Sequence, residues 1–186
     1  GGESTRPYSQ TVDQKDELER VIPVIRGLVK QTDVPISIDT TKASVAQAAM
    51  DEGAQIINDV TGLEGDPKMI DVALNSRAGV CAMHMQGTPQ TMQDSPHYLD
   101  VVQEIHAYLA KRKIHLLDAG IPVEKICLDP GIGFGKSHRH NLELLNKCDQ
   151  YLDLGCPLLI GHSRKGMIGK ILGDPDANRD SATMAI

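Results

Sequence analysis

Five short apolar runs, each handing over to polar residues at its C-terminal end, constrain this chain more than any other feature. They are Pro35–Asp39, Gln55–Asp59, Gly79–Met85, Lys125–Asp129 and Pro157–Gly161. Their interiors are apolar at consecutive positions, the pattern of parallel strands covered on both faces. Helical period fills the gaps. Asp13 to Val29 places Leu18, Val21, Ile22, Ile25 and Leu28 on one face. Lys42 to Asp51 carries Val45 and Ala48–Ala49 and closes on Gly53, a residue suited to a helix C-terminus. Asp66-Pro67 and Ser95-Pro96 each set a capping side chain before a proline, which predicts helix starts there. The helix after Ser95 is expected to be the longest, with Val101, Val102, Ile105 and Leu109 inward and Lys111–Lys113 toward solvent. Asn141–Leu154 and Gly166–Leu172 complete the series. The class is α/β with a parallel sheet, wound as in a (β/α)8 barrel. No repeat or linker divides residues 1–186, and barrels of this kind need roughly 250 residues, so the chain is one unit or part of a larger one.

Composition narrows the partners. A formal net charge of −6 argues against a general nucleic-acid or membrane-surface role. No apolar run approaches the roughly 18 residues a membrane span needs. The opening Gly1-Gly2-Glu3-Ser4 has neither a basic nor an apolar lead, so a cytoplasmic location is expected. None of Cys81, Cys127, Cys148 and Cys156 forms a Cys-x-x-Cys pair, and they read as small buried hydrophobes in a reducing compartment.

The polar residues at the strand ends carry the chemistry. Asp39-Thr40, Asn58-Asp59, His84 with Gln86, Asp129, and His162-Ser163-Arg164-Lys165 follow the five runs in turn. Ligands of parallel α/β folds sit at the C-terminal ends of strands. One carboxylate after a strand reads as a helix cap, but five such ends together read as a site. The stretch Asp129 to Ser137 resembles a phosphate loop and matches neither common kind. Pro130 stands where a Walker loop needs glycine, and Lys136 stands where a dinucleotide fingerprint does. Acids and an amide at the centre (Asp39, Asn58, Asp129) suit a planar ligand with a donor edge, because a carboxylate accepts two parallel N–H bonds. Arg6, Arg164 and Thr5 suit an anion such as diphosphate. A metal centre built from Asp39, His84, Asp129 and His162 is the competing reading. Against it, no His-x-His pair follows the first run, and Lys165 would repel a cation. His106, His115, His138 and His140 read as solvated.

Six motifs then carry a resemblance. Gly1-Gly2-Glu3-Ser4-Thr5-Arg6-Pro7, Ser37-Ile38-Asp39-Thr40, Ile57-Asn58-Asp59-Val60, Met83-His84-Met85-Gln86-Gly87, Asp129 to Lys136, and Ser163-Arg164-Lys165 resemble, in order, those of the dihydropteroate synthase family of pterin-binding enzymes. The resemblance implies a (β/α)8 barrel transferase of folate biosynthesis. It joins 4-aminobenzoate to 6-hydroxymethyl-7,8-dihydropterin diphosphate, yielding 7,8-dihydropteroate and diphosphate. On this sequence it implies that Asp129 accepts the pterin's donor hydrogens, that Asn58 and Asp39 read other ring atoms, and that Lys165 bonds the acceptor side. Val60, Met83 and Phe134 would pack against the ring, and Gly133 would admit close backbone. Thr5, Arg6 and Pro7 belong to a loop serving 4-aminobenzoate and diphosphate, and Ser163, Arg164 and Gly166 frame 4-aminobenzoate. Catalytic roles fall to Asp39, Asp129, Lys165 and Arg6 in a dissociative displacement. Asp129 is expected to matter far more to ring affinity than Lys136.

The resemblance also implies Mg2+, sulfonamide binding and a homodimer paired through late helices. No metal ligand is assigned in this sequence, because the family's Asn for Mg2+ has no counterpart here. The matched motifs correspond to about strands three to seven, without the first two strands or the last with its Arg-x-His pair. The chain alone is therefore expected to turn over poorly or not at all. Gly166 stands where the family commonly has serine, and His162 replaces an apolar residue. Two rivals are a methyltetrahydrofolate:corrinoid methyltransferase with a similar pterin pocket, and a non-catalytic pterin-binding piece. Ser163-Arg164-Lys165 and Ser4-Thr5-Arg6-Pro7 favour the synthase.

Overall fold

In a computed structural model, which describes residues 1–174 and 176–186, the alternation is realised as four parallel strands. Helix α1 (Gln14–Leu28) leads to β1 (Ser37–Asp39), α2 (Ala43–Asp51), β2 (Ile56–Asp59), α3 (Met69–Ser76), β3 (Gly79–Met83), α4 (Val101–Asp118) and β4 (Ile126–Asp129). Three short helices follow, α5 (His138–Asn146), α6 (Gly166–Leu172) and α7 (Asp180–Ala185).

The strands lie in sequence order, β1-β2-β3-β4, every pair parallel. Right-handed crossovers between neighbours in an unreversed order put all helices on one side. That winding is the wall of a (β/α)8 barrel, here a partial one. The pleat assigns the faces. Ile38, Ile57, Val80, Ala82, Ile126 and Leu128 point at the helices and join the main apolar cluster, none more than 2% exposed. Val45, Ala46 and Ala49 of α2, Met69 of α3, and Ile105, Leu109 and Leu116 of α4 supply the facing side. The opposite, inner face carries the polar residues.

Several expectations need correction. Pro157–Gly161 is not a full strand. It makes one parallel bridge, Leu158 to Leu128, through Leu128 N–H to Pro157 O (3.0 Å) and Leu159 N–H to Leu128 O (2.9 Å). Among the described residues nothing pairs with its outer side. The third run stops at Met83, because His84 turns away after its N–H bonds Asp129 O (2.9 Å).

Neither proline pair opens a helix at the expected place. Asp66 caps Lys68 N–H (3.0 Å) one turn before α3, and its other oxygen takes Ala43 N–H (2.9 Å) at the start of α2. Asp100, not Ser95, caps α4, accepting from Val102 and Gln103 N–H (both 3.0 Å), while Glu104 reaches back to Leu99 and Asp100 N–H (2.7 and 3.0 Å). The expected single helix over Asn141–Leu154 divides. α5 begins earlier, at the Ser137–His140 capping box, and a tighter 3-10 turn covers Cys148–Leu154. Leu28 is exposed rather than inward. Arg112, expected near solvent, is buried, with its guanidinium on Leu63 O (3.1 Å) and Glu64 (3.3 Å). No helix among the described residues is long and apolar enough to cross a membrane.

Candidate functional site

Register places the site. It aligns Asp39 with Asn58, Asn58 with Cys81 and Cys81 with Cys127, and two residues further along it aligns Met83 with Asp129. These side chains therefore share the inner face near the C-terminal end of the sheet. Among the described residues no side-chain hydrogen bond is made by Asp39 or Asn58, and the amino group of Gly1 lies within electrostatic reach of the Asp39 carboxylate. Burial pushes the Asp39 carboxyl above its ordinary range. Asp59 points the other way. It is wholly buried, accepts from Thr61 N–H (2.8 Å) and Thr61 O–H (2.7 Å), and turns the chain after β2. Val60, next along, is buried.

Asp129 ends β4, 5% exposed, with Oδ1 accepting Gly131 N–H at 2.7 Å. Burial raises its pKa; the Gly131 N–H and the ammonium groups of Lys165 and Lys136 pull the other way. The turn that follows needs glycine. Gly131 has φ +70°, and a Cβ there would lie 2.0 Å from His84 O. Gly133 has φ +84°, and a Cβ would lie 2.8 Å from Lys165 Cδ. Asn141 and Gln93 hold that turn, Asn141 Oδ1 accepting Gly133 N–H (2.6 Å) and Gln93 donating to Gly133 O (2.7 Å).

Lys165 enters from the other side. Its Nζ donates to the Ile132 carbonyl and stands 4.5 Å from the Phe134 ring centroid. Burial lowers its pKa to about 8 against the attraction of Asp129. Gly161 keeps the meeting point open, since a methyl there would lie 3.9 Å from Lys165 Nζ and 4.0 Å from Asp129 Oδ2. A carboxylate and an ammonium thus border one small space, with Phe134 beside it.

Lys136 was not legible as part of this site. It is 2% exposed, and Nζ meets His84 Nδ1 (3.1 Å), His84 O (3.3 Å) and Phe134 O (2.8 Å). These acceptors match the three ammonium protons, while burial drives the pKa down to about 7. His84 is held neutral, lowered to about 3 by burial and by Lys136. It does not face the site as a strand-end ligand; it packs edge-on to Tyr108 and braces the lysine that braces the Phe134 turn.

Beside this floor opens a cleft of about 1250 Å³. Thr5, Arg6 and Pro7 line it from one side, Ser163, Arg164, Lys165 and Gly166 from another, and Gly133 and Phe134 at the base. The two halves expected to serve an anion, distant in sequence, therefore meet. Asp39, Asn58, Val60, Met83 and Asp129 do not line the cleft itself; they lie in the sheet floor that Gly133 and Lys165 join to it. Arg164, at φ +55°, pairs with Asp180 (3.4 Å), and its N–H bonds the Thr183 hydroxyl (3.1 Å). His162 Nε2 lies 3.1 Å from Thr183 O.

The loop carrying Thr5 and Arg6 is pinned at its base. Lys42 Nζ bonds Glu3 and Glu17, each at 2.6 Å, and Glu3 also accepts Val12 N–H (2.8 Å). Glu17 is wholly buried. Burial opposes the Lys42 charge, but the bonds to Glu17 and Glu3 hold its pKa above the ordinary value. At the loop's far end, Tyr8 N–H reaches Pro89 O (2.9 Å). Of the histidines expected to be solvated, His115 is exposed, whereas His106 contacts Asp153 (2.8 Å) and His140 completes the α5 cap.

Comparison with known proteins converges. The family described as "Pterin binding enzyme" matches residues 1–186. Dihydropteroate synthase of Synechocystis is 45% identical over 176 residues, 95% of this chain and 61% of the relative. That of Escherichia coli K12 is 43% identical over 185 residues, all of this chain and 65% of the relative. The chain thus spans under two thirds of these relatives' length. Among solved structures, a Yersinia pestis dihydropteroate synthase with a sulfonamide drug complex superposes with TM-score 0.95 at 40% identity, covering 99% of this chain and 66% of that one. A Xanthomonas albilineans dihydropteroate synthase with 4-aminobenzoic acid gives 0.92 at 44%, covering 100% and 66%.

Proposed function

The chain belongs to the pterin binding enzyme family, and from that premise we propose that it serves dihydropteroate synthesis, the transfer of a dihydropterin methyl unit from diphosphate to 4-aminobenzoate. One observation carries the reading: the buried Asp129 and the half-buried Lys165 border a single space beside a cleft framed by Thr5, Arg6, Ser163 and Arg164.

In this proposal the Asp129 carboxylate receives the amidine-like edge of the pterin, Oδ2 being unbonded and Oδ1 keeping a second lone pair beside the Gly131 N–H. Asn58 and Asp39 read further polar ring atoms, and Lys165 exchanges its bond to the Ile132 carbonyl for a ring acceptor. Met83, Val60 and Phe134 supply apolar walls. As the methylene–oxygen bond breaks, the ring shares the positive charge, which the fixed carboxylates of Asp129 and Asp39 favour. Arg6 and Thr5 meet the departing diphosphate, and the arylamine attacks from the Ser163–Gly166 side.

Mg2+ belongs to the proposal only at the diphosphate. Among the described residues no group of three or more His, Cys, Asp or Glu is placed to hold a metal ion, so Mg2+ would be held chiefly by the diphosphate oxygens, and no step is routed through it. The sulfonamide complex of the Yersinia pestis relative supports competition by sulfonamides in the 4-aminobenzoate half of the cleft. A cytoplasmic location and pairing of two copies through the late helices are parts of the same proposal.

Diphosphate release tests it. In the protein extended to the full length of its relatives, release from dihydropterin diphosphate is expected to be faster with 4-aminobenzoate than without. Pterin binding with a release rate indifferent to 4-aminobenzoate would favour the methyltransferase or the non-catalytic reading.

A further inference from the structure

We propose that Cys81 and Cys127 form an oxidisable thiol pair in the floor of the ring pocket, whose cross-linking closes that pocket to the pterin. The pocket-closing half rests on the ring-binding reading above; the cross-link itself does not.

Register places the two residues directly opposite one another on β3 and β4. Neighbouring strands lie about 4.8 Å apart, inside the roughly 4.4–6.8 Å between Cα atoms that a disulfide spans. Both thiols are free, and both project from the inner face, two residues before Met83 and Asp129 on their respective strands. On its other side Cys81 is in register with Asn58. The pair is thus enclosed by three residues assigned to the ring. Neither Cys148 nor Cys156 has a cysteine in register with it. Among the described residues no third His, Cys, Asp or Glu completes a metal set around the pair.

Exposure and electrostatics assign the roles. Cys81 is 3% exposed, whereas Cys127 is half-buried and is the thiol that a small oxidant reaches first. The Cys127 thiol is held below its ordinary range and the more buried Cys81 thiol beside it above. Cys127 is therefore the attacking sulfur. Hydrogen peroxide is small enough for the floor. The Cys127 thiolate attacks one peroxide oxygen, the O–O bond breaks, and the hydroxide released takes up the Cys127 proton as water. Cys81 then attacks the resulting sulfenic sulfur, the S–O bond breaks, and the hydroxyl leaves as a second water with the Cys81 proton. Two thiols lose two electrons and peroxide gains them. The bond draws the two strands' side chains together beneath Asn58, Met83 and Asp129, where the ring would rest.

Peroxide titration of the purified protein, followed by alkylation and peptide mapping, tests this. A peptide pair joining Cys81 to Cys127, two hydrogens lighter and released by dithiothreitol, is expected before Cys148 is consumed. Pterin affinity, measured calorimetrically in the same samples, should fall at least tenfold and return on reduction. In Cys127→Ala, peroxide should leave that variant's pterin affinity unaltered. Oxidation of Cys148 with no Cys81–Cys127 link would overturn the proposal, as would a complete link with unchanged pterin affinity. If the untreated protein does not bind pterin, the ring-binding reading and the pocket-closing half fail together, and the linked peptide still decides the pair.

Discussion

Replacing Lys136 by methionine should cost little stability below pH 7 and several kcal/mol near pH 10. Methionine keeps the length of the side chain and removes its charge. In the folded protein Lys136 titrates at about 7 rather than the ordinary 10.5. The unfolded chain therefore binds more protons between these values, and wild-type stability rises with pH through that window. At about 1.4 kcal/mol per tenfold in proton affinity, the full contribution is about 5 kcal/mol. Below pH 7 the variant is relieved of that cost but leaves His84 Nδ1, His84 O and Phe134 O unpaired, at about 1–3 kcal/mol each. The two effects nearly cancel. Near pH 10 only the loss remains, and the variant should be the less stable by several kcal/mol. Lys165, also lowered, adds a slope common to both proteins. Urea unfolding from pH 6 to 10 measures the difference. A wild-type-minus-variant difference that is flat across this range would refute the assignment of Lys136 as a buried, titrating brace.

Other substitutions follow from the same contacts. Lys42→Met leaves the wholly buried Glu17 without a cation and should cost about 3–5 kcal/mol, with faster amide exchange over residues 3–12. Lys42→Arg should recover most of that stability, and unchanged exchange in the methionine variant would count against the pinned loop. Gly133→Ala forces φ +84° on a residue with a Cβ and pushes on Lys165 Cδ; a loss of about 1–2 kcal/mol in thermal stability is expected, together with weaker pterin binding. Gly166→Ser meets no atom within 4 Å of its Cβ and should fold normally. If its hydroxyl reaches the 4-aminobenzoate carboxylate, affinity rises about tenfold, the size of one charge-assisted bond, whereas weaker binding would contradict that placement.

The strand order and the inner-face residues were readable because period and strand-end polarity are local properties of the sequence. Asp39, Asn58 and Asp129 share one face because β1, β2 and β4 belong to one parallel sheet whose units repeat one geometry. What escaped is what depends on partners far along the chain. Asp66 looked like an ordinary cap before proline, yet one of its oxygens serves Ala43 on a different helix. Arg112 lies in a basic run that reads as solvated, and only the Leu63 carbonyl and Glu64 draw it inward. Lys136, in a glycine-rich turn, read as a mismatch to the phosphate loops and as of little weight for the ring. Its burial depends on three acceptors, two of them supplied by His84, which is 52 residues away. It is therefore no neutral control for Asp129. The fifth run had the composition of a strand but not the neighbour that would make it one.

Pterin titration of Asp129→Asn against wild type tests the central claim most directly. The amide presents N–H groups where the ring's donors need acceptors, and the lost charge-assisted bonds are worth about 1.5–3 kcal/mol each. A loss of about a hundredfold or more in pterin affinity, with thermal unfolding still cooperative, is the predicted result. An affinity equal to wild type would show that Asp129 does not read the ring, and the proposed floor would have to be abandoned.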